Sequence, residues 1–115
     1  MSTGKNFYAN LPKKLSEDAT TFLQFVQDNN LDMHGVMVEF FGKYWAGFAA
    51  WWLKRMGERI DWISFALAPH NAHWFVCWVF GNYPEVYTAV MKALQDAKSQ
   101  QEKEAQCLSQ PTPSL

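Results

Sequence analysis

Two histidines and a cysteine in the middle of the chain are the residues best suited to hold a metal ion. On a helix, His70, His73 and Cys77 share one face, as the ligands of a zinc site do. Structural zinc sites usually show paired, closely spaced ligands, and His34 is the only conceivable fourth donor. We therefore interpret the group as a polar turn beside a core cysteine, and we expect neither a metal nor a cofactor.

Catalysis by a nucleophile or by an acid and base finds little support in the sequence. A nucleophile needs a neighbouring base and a third group that orients the base. The chain contains no G-x-S-x-G elbow, phosphate-binding loop or dinucleotide fingerprint. Glu58 and Asp61 could be written as an acid pair, but a solvated helix end explains them better. We predict that the protein is not an enzyme.

Charge and cysteine content argue against three further classes. Ten basic and eleven acidic residues give a net charge of −1, and the basic residues are scattered, so the positive footprint that nucleic acids require is missing. Cys77 and Cys107 do not make a disulfide framework, and the N-terminus lacks a signal pattern, so we expect a reducing cytoplasm. Residues 62–80 carry no formal charge, but polar residues around Pro69 interrupt them, so we expect no membrane span.

Aromatic residues are the most unusual feature of the chain. Of nineteen Phe, Trp and Tyr residues, thirteen lie between Phe40 and Phe80. A helix over 32–56 gathers many of them into an apolar arc of about 160°, wider than the ≳100° stripe of an ordinary surface helix. One neighbouring helix cannot cover such an arc, so we expect most of it to be core and the excess to be an interface.

The excess of that arc is our predicted protein-binding surface. Trp, Tyr, Phe and Met are enriched at binding hot spots, and the predicted anchors are Phe41, Trp45, Phe48, Trp51 and Trp52. A two-fold homodimer would cover the same surface on each subunit. The alternative is a small-ligand-binding module, with the tryptophans as an apolar pocket and His34 or His73 as its polar group.

Helical periodicity and capping residues predict three principal helices, over about 16–29, 32–56 and 83–100. Ser16 is the predicted N-cap of the first helix, and Asn29 and Asn30 end it. Asp32 begins the second helix and Gly57 stops it.

The apolar runs 62–68 and 74–80 predict an antiparallel hairpin, because Pro-His-Asn-Ala between them is typical of a turn and the second run is rich in β-branched and aromatic residues. Two short buried helices are the alternative. The predicted fold class is therefore α+β, three main helices and a hairpin, with an all-α domain as the alternative. The domain spans 16–98, after an N-terminal arm over 1–15 and before a flexible polar tail over 99–115.

Two stretches of this sequence carry a resemblance to a known family. The octapeptide Trp-Ala-Gly-Phe-Ala-Ala-Trp-Trp at 45–52 and the segment 73–87, together with the length and layout, resemble bacterial quorum-sensing antiactivators directed at LuxR-type transcriptional regulators. The resemblance covers most of residues 16–98. It implies a protein that binds the ligand-binding domain of such a regulator, disrupts its dimerisation and stops it engaging DNA.

Overall fold

The computed structural model describes residues 13–109, with side chains through residue 104. In this part of the chain five α-helices follow one another and no strand occurs. They are α1 (Lys13–Asp28), α2 (Met33–Phe41), α3 (Trp45–Met56), α4 (Pro69–Asn82) and α5 (Pro84–Ser109). A 3₁₀ turn, Gly42–Tyr44, joins α2 to α3, and a π-helical turn, Trp62–Ala66, precedes α4. The fold of the described chain is all-α, so the α+β prediction with its hairpin is wrong.

The segment predicted as the first strand of the hairpin is instead a helical turn held by its own cap. The Asp61 carboxylate accepts a hydrogen bond from the Ser64 backbone N–H at 3.1 Å and a second one from the Ser64 hydroxyl. Pro69 then occupies the first turn of α4. An N–H group at this position would have no partner within the helix, so proline is well tolerated there. The Pro-His-Asn-Ala sequence therefore begins a helix rather than turning between strands.

The segment predicted as the second strand lies within α4, the central helix of the molecule. It contacts α1, α3, α5 and the π-helical turn. Burying one large apolar side chain stabilises the fold by about 1.5–3 kcal/mol, whereas unfavourable helix propensity costs at most about 0.7 kcal/mol per ordinary residue. Burial on all sides therefore outweighs the strand preference of its residues. The buried residues of α4 are Ala72, Phe75, Val76, Cys77, Trp78, Val79 and Phe80.

The single long helix predicted over 32–56 is interrupted. The α-helical geometry ends at Phe41, whose φ of −127° departs from helical values, and resumes at Trp45. Gly42 stands at the break, where a residue of low helix propensity weakens the helix. Gly57 ends α3 as predicted: it adopts a left-handed φ of 68°, and its N–H donates to the Leu53 carbonyl at 2.8 Å.

The sequence predicts the C-terminal end of α1 but not its N-terminal end. The predicted N-cap Ser16 lies inside α1, which already includes Lys13, whereas Asn30 ends the helix as predicted, with a left-handed φ of 53°. The Leu31 and Asn30 N–H groups donate back to Val26 and Gln27, which caps the last turn.

The last helix, α5, continues to Ser109, although the sequence predicts a loose tail from residue 99 onward. A hydrogen bond from Gln101 to Asn29 links this stretch to the end of α1. Residues 1–12 of the predicted arm and residues 110–115 of the predicted tail lie outside the described residues. None of the helices described is both long enough and apolar enough to span a membrane.

Candidate functional site

The five predicted anchor residues fall into two groups. Phe41, Phe48 and Trp52 are buried, and they form part of the core of the domain. Trp45 and Trp51 are only partly buried and pack against that core from its edge. Of the five, only Trp45 and Trp51 can present an aromatic surface to another molecule.

The buried rings surround Phe48 and Phe75, whose centroids are 5.0 Å apart. Trp52 stacks edge-to-face on Phe65 at 4.9 Å, and its indole N–H donates to the Glu58 carboxylate at 2.9 Å. Edge-to-face pairs of this kind contribute beyond the burial of their area. The wide apolar arc is therefore largely covered by the chain's own helices, mainly through α4.

A shallow groove of about 430 Å³ opens where the α2–α3 break meets the π-helical turn. We call it the Trp45 groove, and its lining residues are His34, Val38, Gly42, Lys43, Trp45 and Trp62. The Trp45 and Trp62 rings meet at 5.4 Å and nearly at right angles, and the His34 ring meets Trp62 at 6.0 Å. The groove therefore has aromatic walls and polar groups beside them.

Exposed aliphatic residues extend this apolar surface beyond the groove. Val38, which lines the groove, is 49% exposed, and Ile63, which follows Trp62 in the chain, is 72% exposed. Both are large hydrophobic side chains that the described part of the chain leaves in contact with water. Exposed apolar surface beside a concave aromatic site is typical of a binding surface.

The polar groups of the groove are hydrogen-bond donors. The indole Nε1 of Trp62 is buried and has no hydrogen-bond partner among the described residues. Lys43 is exposed, and its ammonium lies 5.2 Å from the centroid of the neighbouring Tyr44 ring. The imidazole of His34 carries at least one N–H in every protonation state. The groove is therefore suited to a partner group that accepts hydrogen bonds.

Trp51 belongs to a second partly exposed aromatic surface, on α3. Its ring lies 6.2 Å from that of Trp78, and the Arg55 guanidinium lies 5.9 Å from its centroid. Tyr44 and Tyr83 stack nearby at 4.3 Å, and Tyr83 also contacts Trp78. This surface is apolar at its centre and carries a cation at its edge.

His70, His73 and Cys77 lie on one helix, where His73 contacts a backbone carbonyl, Cys77 is buried and His70 is exposed. The His73 Nε2 atom is 3.2 Å from the Ser16 carbonyl oxygen, and the Cys77 thiol is 3.6 Å from the same nitrogen. Burial raises the pKa of Cys77 to about 12, so the thiolate needed for metal binding or nucleophilic attack is disfavoured. No group of three metal-binding side chains occurs among the described residues.

A second cavity, of about 400 Å³, lies between α1 and the start of α4. Its rim carries His70 and His73, and its apolar wall is formed by Leu23 and Trp74. Both histidines of this group therefore line an open crevice rather than a closed site. The remaining lining residues are Thr20, Gln24, Gln27 and Pro69.

Glu58 and Asp61 do not form an acid–base pair. Glu58 accepts the hydrogen bond from Trp52, whereas Asp61 caps the π-helical turn. The hydrogen bonds from Ser64 lower the pKa of the Asp61 carboxyl, which keeps it ionised as a cap. Both carboxylates therefore have structural partners.

Two lining residues of the Trp45 groove, Val38 and Trp62, are not among the anchors that the sequence predicts. The predicted strand over 62–68 and the predicted continuous helix over 32–56 hide the groove. Gly42 lies at the break, but Gly35 and Gly47 are equally poor helix formers inside α2 and α3, so the glycines alone do not locate it.

Comparison with known proteins identifies no relative. No protein-family model, no curated protein and no solved structure matches this chain.

Proposed function

We propose that this chain is a non-enzymatic regulator that acts by binding another protein through the surface around the Trp45 groove. The observation that carries the proposal is the exposure of Val38, which lines the groove, and of Ile63, which follows Trp62 in the chain, at 49% and 72%. Tryptophan anchors flanked by apolar residues dominate the energy of many interfaces. Water is excluded from this surface only when a partner covers it.

The proposed partner is a LuxR-type activator of quorum sensing. What supports this choice is the resemblance of segments 45–52 and 73–87 to quorum-sensing antiactivators, together with the position of Trp45, the first residue of 45–52, in the groove wall. The regulator would bind the activator's ligand-binding domain, compete with its dimerisation and so prevent it from binding DNA. Of the predicted anchors, Trp45 is the one that acts in this surface.

Self-association is the second part of the proposal. The surface formed by Trp51, Tyr44 and Tyr83 is apolar and partly exposed. A two-fold homodimer buries one such patch against its copy. Light scattering at tens of micromolar should report about twice the monomer mass, because a specific interface holds at that concentration; a monomer mass would contradict this part alone.

The proposed compartment is a reducing cytoplasm. Cys77 is a free, buried thiol, and free cysteines are maintained where disulfides do not form. A cytoplasmic transcriptional activator would be accessible to the regulator there.

The decisive experiment mixes the purified chain with the ligand-binding domain of a LuxR-type activator. Size-exclusion chromatography with light scattering follows the activator dimer, and a gel shift with the full-length activator follows DNA binding. The proposal predicts a new complex, loss of the activator dimer and loss of the shifted DNA band. An unchanged dimer at saturating regulator contradicts the choice of partner.

Surface variants assign the binding face in the same assay. Ile63→Asp and Val38→Asp place a charge in the apolar surface, so they should weaken complex formation at least tenfold while leaving the melting temperature nearly unchanged. Ala89→Asp, at an exposed position on α5, is the matched control and should bind like the wild type. Equal binding by all three variants would mean that the partner does not use the Trp45 groove.

A further inference from the structure

The Trp45 groove has the size and shape of a small-molecule site. Its volume of about 430 Å³ falls within the roughly 300–1,000 Å³ of ordinary ligand pockets. Two indole rings at right angles form its walls, and they offer one ring face and one ring edge to a guest. A flat or slender apolar group is the shape that packs against them.

The absence of a side chain at Gly42 keeps the groove open. A methyl group placed there would lie 3.7 Å from the nearest side-chain atom of Val38, at ordinary van der Waals distance. A small side chain is therefore tolerated at this position without a clash, whereas a large one would occupy the groove itself. This gives a way to close the site without disturbing the core.

The charge and polarity of the lining indicate which polar group a ligand of the groove would carry. Among the described residues, Lys43 is the only formally charged one that lines the groove, and no carboxylate, amide or hydroxyl side chain joins it. The His34 imidazole adds an N–H donor, whereas the Trp62 Nε1 is buried and does not open into the groove. A ligand group that is negatively charged and accepts hydrogen bonds suits this lining.

We propose that the Trp45 groove binds a small apolar molecule that carries a carboxylate. The apolar part lies against the Trp45 and Trp62 rings, and the carboxylate accepts hydrogen bonds from Lys43 and His34 at the mouth. Charge-assisted hydrogen bonds to a carboxylate are stronger than those to a neutral acceptor, which sets the preference for an acid.

This site lies within the proposed protein-binding surface, but its occupancy does not depend on the proposed function. If both proposals hold, the ligand and the protein partner exclude each other, and the small acid acts as a signal that releases the partner. Ligand binding is measured on the isolated chain, so a failure of one proposal is distinguishable from a failure of the other.

The test uses two-dimensional NMR of the six tryptophan indole N–H groups, titrated with 4-phenylbutyrate. The Trp62 signal is assigned from its disappearance in Trp62→Phe. We expect saturable shifts of the Trp62 and Trp45 indole signals, with a dissociation constant in the millimolar range or below, as ordinary ligand efficiency gives for about twelve heavy atoms. The neutral analogue 4-phenylbutanol should bind at least fivefold more weakly, because it lacks the charge.

Three variants complete the test. Gly42→Leu fills the groove and should reduce affinity for 4-phenylbutyrate at least tenfold, whereas Ala50→Leu, at an exposed position on α3, should bind like the wild type. Lys43→Gln should reduce the acid's affinity and leave that of the alcohol unchanged. Absence of saturation at about 10 mM acid, equal affinity for the acid and the alcohol, or undiminished binding by Gly42→Leu would each overturn the proposal.

Discussion

Replacing Phe48 with alanine is the perturbation that separates core from surface most clearly. Its side chain is inaccessible to solvent, and its ring centroid lies about 5–6 Å from those of six other aromatic residues. The neighbours are Trp45, Trp51, Trp52, Phe65, Phe75 and Trp78. A buried Phe→Ala change costs about 3–5 kcal/mol, because a cavity remains where the ring was.

That cost is large on the scale of the whole domain. At about 0.05–0.15 kcal/mol per residue, a chain of 115 residues has a free energy of unfolding of roughly 6–17 kcal/mol. Its unfolding entropy of about 2.1 cal/mol/K per residue makes each kcal/mol worth about 4 °C in melting temperature. Phe48→Ala should therefore lower the melting temperature by about 12–20 °C.

Thermal unfolding followed by circular dichroism or calorimetry measures the effect. Ile63→Ala is the matched control, because Ile63 is exposed and its truncation should change the free energy of unfolding by about 0.5 kcal/mol or less. A Phe48→Ala melting temperature within about 4 °C of the wild type would refute the assignment of Phe48 to the core. Equal losses for the two variants would refute the distinction between a buried Phe48 and an exposed Ile63.

Further predictions concern two glycines, the Cys77 thiol and a hydrogen bond between α5 and α1. Gly57→Ala should destabilise the domain by about 1 kcal/mol, because φ is positive at that residue. Gly47→Ala, inside α3, should stabilise it by about 0.5–1 kcal/mol, because the added methyl group lies at ordinary van der Waals distance from Trp78. Urea unfolding of the two variants and the wild type measures both effects. Cys77 should resist iodoacetamide at about pH 8 until the chain unfolds, as mass spectrometry of its peptide would show, because burial raises its pKa. Because the pKa of Cys77 is higher in the folded chain than its ordinary value of 9.0, the protonated thiol stabilises the fold at pH values below 9. This stabilisation is lost as the pH rises from about 9 to about 12. Cys77→Ala lacks the thiol, so its free energy of unfolding should fall less than that of the wild type between these two pH values. Tyr87→Phe removes the hydrogen bond that Tyr87 donates to Asp18 between α5 and α1, and should lower the free energy of unfolding by about 1 kcal/mol in the same urea assay.

Features fixed by a few neighbouring residues were predictable from the sequence. The apolar face of α1 is buried as the helical spacing predicts, at Ala19, Phe22, Leu23 and Val26. Asn30 and Gly57 end their helices because each tolerates a left-handed backbone that most residues avoid. Such signals need no knowledge of which other segment packs against the helix.

The secondary structure of residues 62–80 was not predictable in the same way, because it depends on which other elements surround the segment. A continuous apolar run suits a buried strand and a buried helix equally well, and Phe75, Val76 and Val79 favour a strand by propensity alone. Contacts with α1, α3 and α5 on all sides of α4 decide the matter. Those contacts join residues far apart in the chain, so no local sequence pattern predicts them.

The candidate site was predicted only in part for the same reason. The arc of aromatic residues identified Trp45, but its buried and exposed members could not be separated without the neighbouring helices. Trp62 reaches the groove because Asp61 caps a π-helical turn, and the groove itself opens at the break beside Gly42. Both features are departures from regular helix, which periodicity does not predict.

The exposed surface around the Trp45 groove is the proposed binding site for a protein partner. Amide hydrogen exchange of the chain, alone and with the ligand-binding domain of a LuxR-type activator, tests this proposal directly. We expect slower exchange on binding in α2, at the α2–α3 break and in the π-helical turn, with no change in the middle of α5. Protection confined to α5, or no protection anywhere at saturating activator, would contradict it.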